Sequence, residues 1–387
     1  MRITFAAEPF PHETTCSLFL MGPTARGNPA TMTDWRAEAL RLLETHGFKG
    51  DVFVPEPRDG VWTDDYARQI AWEDAALHRA DHILVWLPRR MDTLPGLTTN
   101  DEWGYWKSRD PARLMLGVPA DAENVRYQRY YATGLGIPVF DSLEAMCGAV
   151  ARQRGEPRQG GECQVPLHIW RTPAFQAWHA AQKNAGNVLH GARVEWVFRV
   201  KPTLVFAWAL HVDIFVAAEG RHKSNEMILG RPDIAAVVIY RRAADFLDTE
   251  IVLVREFRSP SRTPDGCIWE LPSGSTFARD RSGLAVAVDE VKEELGLTID
   301  PRTLRAHGAR QLAGTLSVHQ GQVFSLELSA EAMAQLRAQD HANTTHGNVS
   351  HSEVTTTRVR RLREILAEPH ADWSTLGMIL SVLLPPS

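Results

Sequence analysis

Glu290-Val291-Lys292-Glu293-Glu294-Leu295-Gly296-Leu297 decides how the second half of this chain is read. On a helix, positions i, i+3 and i+4 share a face, so Glu290, Glu293 and Glu294 fall on one stripe. Like charges at that spacing repel, and a helix rarely gains from them unless a cation sits between them. Converging carboxylate oxygens suit Mg²⁺ or Mn²⁺, with substrate phosphates completing the shell. Gly296 follows as the expected helix stop. The alternative is a solvated acidic face, the usual meaning of a charge run.

Working outward, Trp269-Glu270-Leu271-Pro272-Ser273-Gly274 reads as a strand ending in a turn. A loop and a helix from Leu284 to Leu295 follow. This strand, glycine loop and E-x-x-E-E-x-G helix resembles the Nudix hydrolase box. The resemblance implies an α/β/α sandwich with a mixed sheet. It also implies Mg²⁺ (or Mn²⁺) held by Glu290, Glu293 and Glu294, and hydrolysis of a nucleoside diphosphate joined to another group. Asp289 stands where the family has an arginine, so it either adds a ligand or marks a weakened site. Asp280 or Arg281 stands where the family has a loop glutamate. Val252-Leu253-Val254-Arg255-Glu256-Phe257-Arg258 resembles the REFR segment of the ADP-ribose pyrophosphatase branch. That likeness implies phosphate contacts from Arg255 and Arg258, for which a planar guanidinium fork is suited. A salt-bridged edge strand is the alternative for either arginine. Asp372-Trp373-Ser374-Thr375-Leu376 resembles the last helix of the same branch. Glu353 falls where that branch places a catalytic loop glutamate, so Glu353 or one of the helix set, such as Glu293, is expected to activate water.

The first third alternates short apolar runs with helical periods: Ser17–Met21, Val52–Val54 and His82–Leu87 as strands, Thr33–His46 and Tyr66–Arg79 as helices, with a further helix beginning at Glu102. Such alternation implies a doubly wound, mainly parallel sheet with ligands beyond the carboxyl ends of its strands. Gly22-Pro23-Thr24, Pro55-Glu56-Pro57-Arg58 and Pro95 to Glu102 lie at those ends. Together with Trp72-Glu73 and Ala80-Asp81, they resemble the nucleoside 2-deoxyribosyltransferase family and its N-glycosidase relatives, over about residues 16–145. The resemblance implies a flavodoxin-like domain in which Glu102 attacks the anomeric carbon and Glu73 handles the proton on the base. It also implies substrate contacts from Gly22, Pro23, Thr99 and Asn100. Two carboxyls suit an oxocarbenium-like transition state, one ionised for attack and one protonating the leaving group. Thr99-Asn100-Asp101-Glu102 also fits a capping box, in which Glu102 merely ties off a helix start. Glu73 has a solvent-facing alternative, with Asp74 as the base. Phe19 and Met21 offer no hydroxyl where deoxyribosyltransferases carry a tyrosine, so hydrolysis is as well motivated as transfer.

At 387 residues the chain has room for two or three cored domains. The expected boundaries are a first domain at 1–150, a polar, glycine-rich linker at 151–165 and a second domain at 166–387. Within the second domain, Val194–Val200 and Leu204–Ala217 read as a hairpin leading into the mixed sheet. A net charge of −5 without a basic block gives no general attraction to nucleic acid or anionic membrane. Apolar runs are too short to span a bilayer, and no signal-peptide pattern opens the chain. Four scattered cysteines fit structural thiols in a reducing cytoplasm. His341, His346 and His351 lie in a polar segment that reads as a loop, with a metal site as the alternative.

Small-molecule nucleosides or nucleotides are therefore the expected partners, and both resemblances imply a homo-oligomer. The expectation is a bifunctional cytoplasmic enzyme of nucleotide metabolism, a Nudix pyrophosphohydrolase joined to an N-glycosidase or deoxyribosyltransferase. Two alternatives remain. One is a nucleotide sensor with one or both sites degenerate. In the other, only the first domain is catalytic.

Overall fold

The computed structural model describes residues 1–24, 34–62, 65–202, 204–276, 281–346 and 354–384. Contacts divide the chain into two units, Met1–Gly230 and Arg231–Ser387.

The first unit opens with β1 (Arg2–Phe5), β2 (Glu13–Thr14), β3 (Ser17–Met21), α1 (Trp35–Thr45), β4 (Asp51–Val54), α2 (Tyr66–Arg79), β5 (His82–Trp86), α3 (Leu97–Arg109), β6 (Leu114–Gly117), α4 (Arg126–Leu135), β7 (Val139–Phe140) and α5 (Leu143–Ala151). The order β1-β4-β3-β5-β6-β7 is parallel throughout. Without the edge strand β1 this is the flavodoxin-like order, and the winding reverses between β3 and β5. β3, β4 and β6 are buried along their whole length, as the continuous apolar runs require of a sheet covered on both faces. Phe19, Met21, Ile83 and Val85 meet Trp72, Ala76, Trp103, Trp106 and Ala132 from α2, α3 and α4. Leu18, Leu20 and Leu84 occupy the alternate positions and are equally buried, with α5 touching β5 and β6. Each such aliphatic side chain contributes about 1.5–3 kcal/mol on leaving water.

The segment expected to be a linker is instead part of this unit. β8 (Arg158–Gln159) pairs with β2, and a 3₁₀ turn covers Gly160–Gln164. Arg158 is fully buried, its guanidinium donating to both oxygens of Asp81 at 2.8 and 2.5 Å. Asp81 also accepts from the Ser17 and Leu167 backbone N–H groups, so it ties the starts of β3 and β5 to the chain beyond residue 158. The glycines that gave this segment its linker-like composition serve close packing. A Cβ on Gly161 would lie 2.3 Å from the His190 carbonyl carbon.

Beyond it come α6 (Leu167–Trp170), α7 (Pro173–Asn184), β9 (Val188–Lys201), β10 (Leu204–Val216) and β11 (Arg221–Gly230). The expected hairpin forms, but β9, β10 and β11 make their own antiparallel sheet in the first unit rather than joining the later mixed sheet. Arg109 of α3 anchors β9 through the Val194 carbonyl at 2.8 Å and the Glu195 carboxylate at 2.7 Å. The boundary between units accordingly follows residue 230, not residue 165.

The second unit contains β12 (Ile234–Arg241), β13 (Glu250–Phe257), β14 (Cys267–Glu270), β15 (Ser273–Ser275), α8 (Gly283–Leu295), β16 (Arg305–Gln311), β17 (Gln320–Glu327), α9 (Ala330–His341), β18 (Thr345–His346), β19 (Thr355–Arg361), α10 (Leu362–Ala367) and α11 (Trp373–Leu383). Its mixed sheet runs β16-β17-β12-β13-β19-β18, with β14 beside β13 and β15 beside β12. Ala235, Val237 and Ile239 face α8 and α9 through Val286, Val291, Leu295, Met333 and Leu336. Ala236, Val238 and Tyr240 share a second cluster with Leu362, Ile365, Ile379 and Leu383 of α10 and α11. Period-2 alternation on one buried strand thus feeds two cores, giving the expected α/β/α layers.

Among the described residues no helix is long and apolar enough to cross a membrane. All four cysteines are free and buried, and burial pushes Cys16 and Cys147 up to about 12.

Candidate functional sites

The first site lies beyond the carboxyl ends of β3 and β4, next to the point between β3 and β5 where the sheet reverses its winding. α3 starts at Leu97, five residues before Glu102, behind Gly96 in the left-handed conformation (φ 65°). Thr99 is therefore inside the first turn and buried rather than capping, and no side chain caps this helix. The capping-box role for Glu102 is excluded, which leaves its carboxyl for other work.

Glu102 and Glu73 line one cavity of about 260 Å³ with Met21, Gly22, Pro23, Thr24, Arg36, Pro55, Trp62, Tyr66, Gln69 and Thr99 among its walls. Burial, reinforced by the negative charge of Glu73, pushes Glu102 up to about 8, with Arg36 opposing. Burial also raises Glu73, against the 2.7 Å hydrogen bond donated by Gln69 Nε2 and the charge of Arg36. Both shifts run against ionisation, and that of Glu102 keeps its proton at neutral pH. Asp74 instead lies 3.5 Å from His78 and is not a lining residue.

Arg36 holds the cavity wall in place. Its buried guanidinium donates to the carbonyls of Leu20 (3.4 Å) and Gly22 (2.6 Å), to Thr24 Oγ1 (3.2 Å) and to Glu56 Oε1 (2.5 Å). Pro23 is fixed through its carbonyl by Trp35 Nε1 at 2.9 Å. Gly22 admits no side chain, since a Cβ would stand 2.5 Å from the Trp86 carbonyl oxygen. Asn100 is not a lining residue; its amide oxygen accepts from Arg89 at 2.6 Å and Gln128 at 3.0 Å. Arg36, Gln69, Trp62 and Tyr66 were not anticipated. Tyr66, Gln69 and Glu73 follow i, i+3, i+7 spacing on α2, and Arg36 falls among the apolar positions of α1, so a signal for three of them was present.

The second site centres on α8. Gly296 (φ 66°) stops it, as expected, and Ser282 caps its start. Glu294 is half-buried and accepts from the Ser273 backbone N–H at 3.2 Å. Burial, then the charges of Glu290, Glu256 and Glu270, raises it well above the usual carboxylate range. Glu290 lies against Gly274, where a Cβ would come 1.8 Å from its Oε1. Glu293 is exposed. Asp289 is exposed and ion-paired with Arg281, and so is engaged away from this acidic group. Arg258 pairs with Glu270 at 2.7 Å and Glu256 at 2.9 Å, and Arg255 with Asp265 at 2.8 Å. Both arginines are thus held by local carboxylates. Glu256 and Glu270, inside the quoted segments but given no role, join the cluster. Glu353 and His351 lie outside the described residues. His346 is hydrogen-bonded to Gln339 at 3.3 Å.

A carboxylate raised by carboxylate neighbours marks an excess of negative charge, and the donors are hard oxygens. Such donors suit Mg²⁺ or Mn²⁺, although among the described residues Glu290, Glu293 and Glu294 do not bring three ligand atoms within 4.8 Å of one another.

The first unit has a family match. Residues 15–121 match the family described as nucleoside 2-deoxyribosyltransferase like. The matched stretch contains Glu73, Glu102 and every described wall residue of the first cavity. No curated protein matches the chain. Among solved structures, one titled as the crystal structure of an ADP compounds hydrolase aligns with 51% of this chain and 91% of its own, at 13% identity and a TM-score of 0.34.

Proposed function

We propose that this chain is a bifunctional nucleotide-processing enzyme whose first unit breaks or transfers an N-glycosidic bond of a nucleoside or nucleotide. The observation that carries this reading is that Glu102 and Glu73 line one cavity, where burial raises both carboxyls. Binding of substrate would move the proton toward Glu73 and leave Glu102 ionised. A Glu102 oxygen then attacks C1′, the C–N bond breaks, and its electrons pass to the base, which takes the proton from Glu73. Water or a second base resolves the glycosyl ester on Glu102. Met21, Trp62 and Tyr66 supply apolar and aromatic walls for sugar and base, and Arg36 fixes the loop that carries Gly22 and Pro23.

In the second unit the same proposal is hydrolysis of a nucleoside diphosphate derivative of ADP-ribose or nucleotide-sugar type. Glu290, Glu293 and Glu294 would hold Mg²⁺, which neutralises charge developing on the phosphate. Glu256 and Glu270 deepen the negative field, Glu293 or Glu353 draws the proton from the attacking water, and Arg255 and Arg258 bind phosphate once released from their carboxylate partners. The monophosphate product has the chemistry of a substrate for the first site. A binding-only second unit is the competing reading, favoured by Asp289 paired with Arg281 where the family has an arginine.

Purified protein with Mg²⁺, incubated with nucleosides, nucleotides, ADP-ribose and nucleotide sugars and read by mass spectrometry, tests both. Free base lost only in Glu102→Ala and monophosphate lost only in Glu293→Gln are the expected results. Nucleotide binding with no turnover at either site would move the assignment to a sensor.

A further inference from the structure

The antiparallel sheet of the first unit carries a cluster that neither candidate reaction uses. His190 of β9, Asp213 of β10 and His222 of β11 each present one ligand atom, and the three atoms lie within 4.8 Å of one another. Among the described residues this is the one group of three His, Cys, Asp or Glu side chains that meets that spacing. We propose that His190, Asp213 and His222 form a binding site for a divalent transition-metal ion, Zn²⁺ by preference.

The backbone explains how one ligand arrives from each strand. Asp213 stands opposite Gly191, and the β9–β10 register slips at the next step, so that Ile214 faces Leu189 and His190 is the extra residue. The β10–β11 register slips between Val212 and Ile214, immediately around Asp213. Bulges bend a strand and re-aim its side chains. Here two of them flank a single carboxylate and leave His190 and His222 on either side of it.

The distances fit an ion. His222 Nδ1 lies 3.0 Å from Asp213 Oδ1, near the ~3.3 Å edge expected of a tetrahedral site with ligand bonds of ~2.0 Å. The His190 and His222 rings stand 4.5 Å apart at 79°, edge to face rather than stacked. The Phe215 ring packs against His222, with centroids 5.3 Å apart. His190 and His222 are exposed and Asp213 half-buried, so an ion reaches the site from solvent and small ring rotations close the remaining gap.

The donor set selects the class of ion. Two imidazoles and one carboxylate suit Zn²⁺, Ni²⁺ or Cu²⁺, whereas Mg²⁺ and Ca²⁺ take oxygen shells. Three protein ligands leave a fourth position for water or an added ligand. Bound there, the ion would pin three strands whose register the bulges otherwise loosen.

The test uses the full chain after treatment with chelator. Zn²⁺ is titrated in competition with a chromophoric chelator, Co²⁺ binding is followed by visible absorption, and melting is recorded with and without Zn²⁺. His190→Ala and His222→Ala should each weaken Zn²⁺ by more than the roughly 10–100-fold that loss of an outer-shell partner costs. Both should remove the Co²⁺ absorption and the rise in Tm on adding Zn²⁺. His222→Gln, melting like the wild type without metal, separates ligand loss from misfolding. Equal Zn²⁺ affinity in the wild type and both alanine variants overturns the proposal, as does a wild type that shows no Co²⁺ absorption.

Discussion

Glutamates gather in both units, and their surroundings give them different chemistry. In the first unit Glu73 and Glu102 share a small cavity with apolar and aromatic walls, and Arg36 is largely committed to backbone carbonyls and Glu56. The low polarity and the mutual repulsion are met by keeping a proton, so the pair is suited to moving one. In the second unit Glu256, Glu270, Glu290 and Glu294 gather with Arg258 bound to two of them. In the proposed reading a divalent ion would answer the remaining negative charge of these carboxylates. On that reading the same side chain would serve as a proton carrier where a cavity isolates two copies, and as a cation binder where the backbone crowds several.

The comparison is broken most directly by substitution at its centres. Glu102→Ala should lower base release by at least about 10³-fold and Glu73→Gln by about 10²–10⁴-fold, with monophosphate formation unchanged in both, read by product chromatography. Chelation by EDTA should do the reverse, abolishing monophosphate formation and sparing base release. If both reactions stop together, the two-chemistry division is wrong.

Asp81→Ala probes what supports the first pair rather than the pair itself. It leaves the buried Arg158 guanidinium unpaired and should cost about 3–5 kcal/mol in urea unfolding of the first unit.

The proton on Glu102 is visible in stability. Its folded pKa, about 8, is raised above the ordinary value of 4.5. The native state therefore binds more protons between those values. The resulting stability is fully present below pH 4.5 and is lost as pH rises through 8. Glu102→Gln cannot ionise, so it should match the wild type near pH 4.5 and exceed it by on the order of 1–3 kcal/mol at pH 9. Equal unfolding midpoints for the two proteins across that range would remove the account of a proton kept on Glu102.

The smallest expected effect on folding sharpens the second site. Gly274→Ala meets the flexible end of Glu290, so stability should change by less than about 1 kcal/mol. Titration with Mn²⁺ should nonetheless show weaker binding, because Glu290 must swing aside. Unaltered Mn²⁺ affinity would take Glu290 out of the metal shell.

Much of this was legible in order and spacing. Apolar runs alternating with helical periods give the parallel sheet of the first unit. The glutamate spacing with Gly296 at its end gives α8, because both depend on neighbours within a few residues. Glu73 and Glu102 were identified through the family resemblance, and the fold brings them to one cavity. Asn100, by contrast, turns to Arg89 and Gln128, partners 11 and 28 residues away that no local pattern reveals. The segment 151–165 misled because glycine and polar residues read alike in a mobile connection and in a close backbone contact. Only packing against β9 separates the two cases.

The sequence by itself determined which segments become strands and helices and where the acidic residues stand along them, since both are properties of short range. Tertiary structure alone decided the rest: that residues 151–230 join the first unit, that Glu102 keeps its proton, that Asp289 is taken up by Arg281, and that two histidines meet one aspartate across three strands. Each of these depends on distance and dielectric between groups that sequence order does not bring together, and those quantities exist only once the chain has folded.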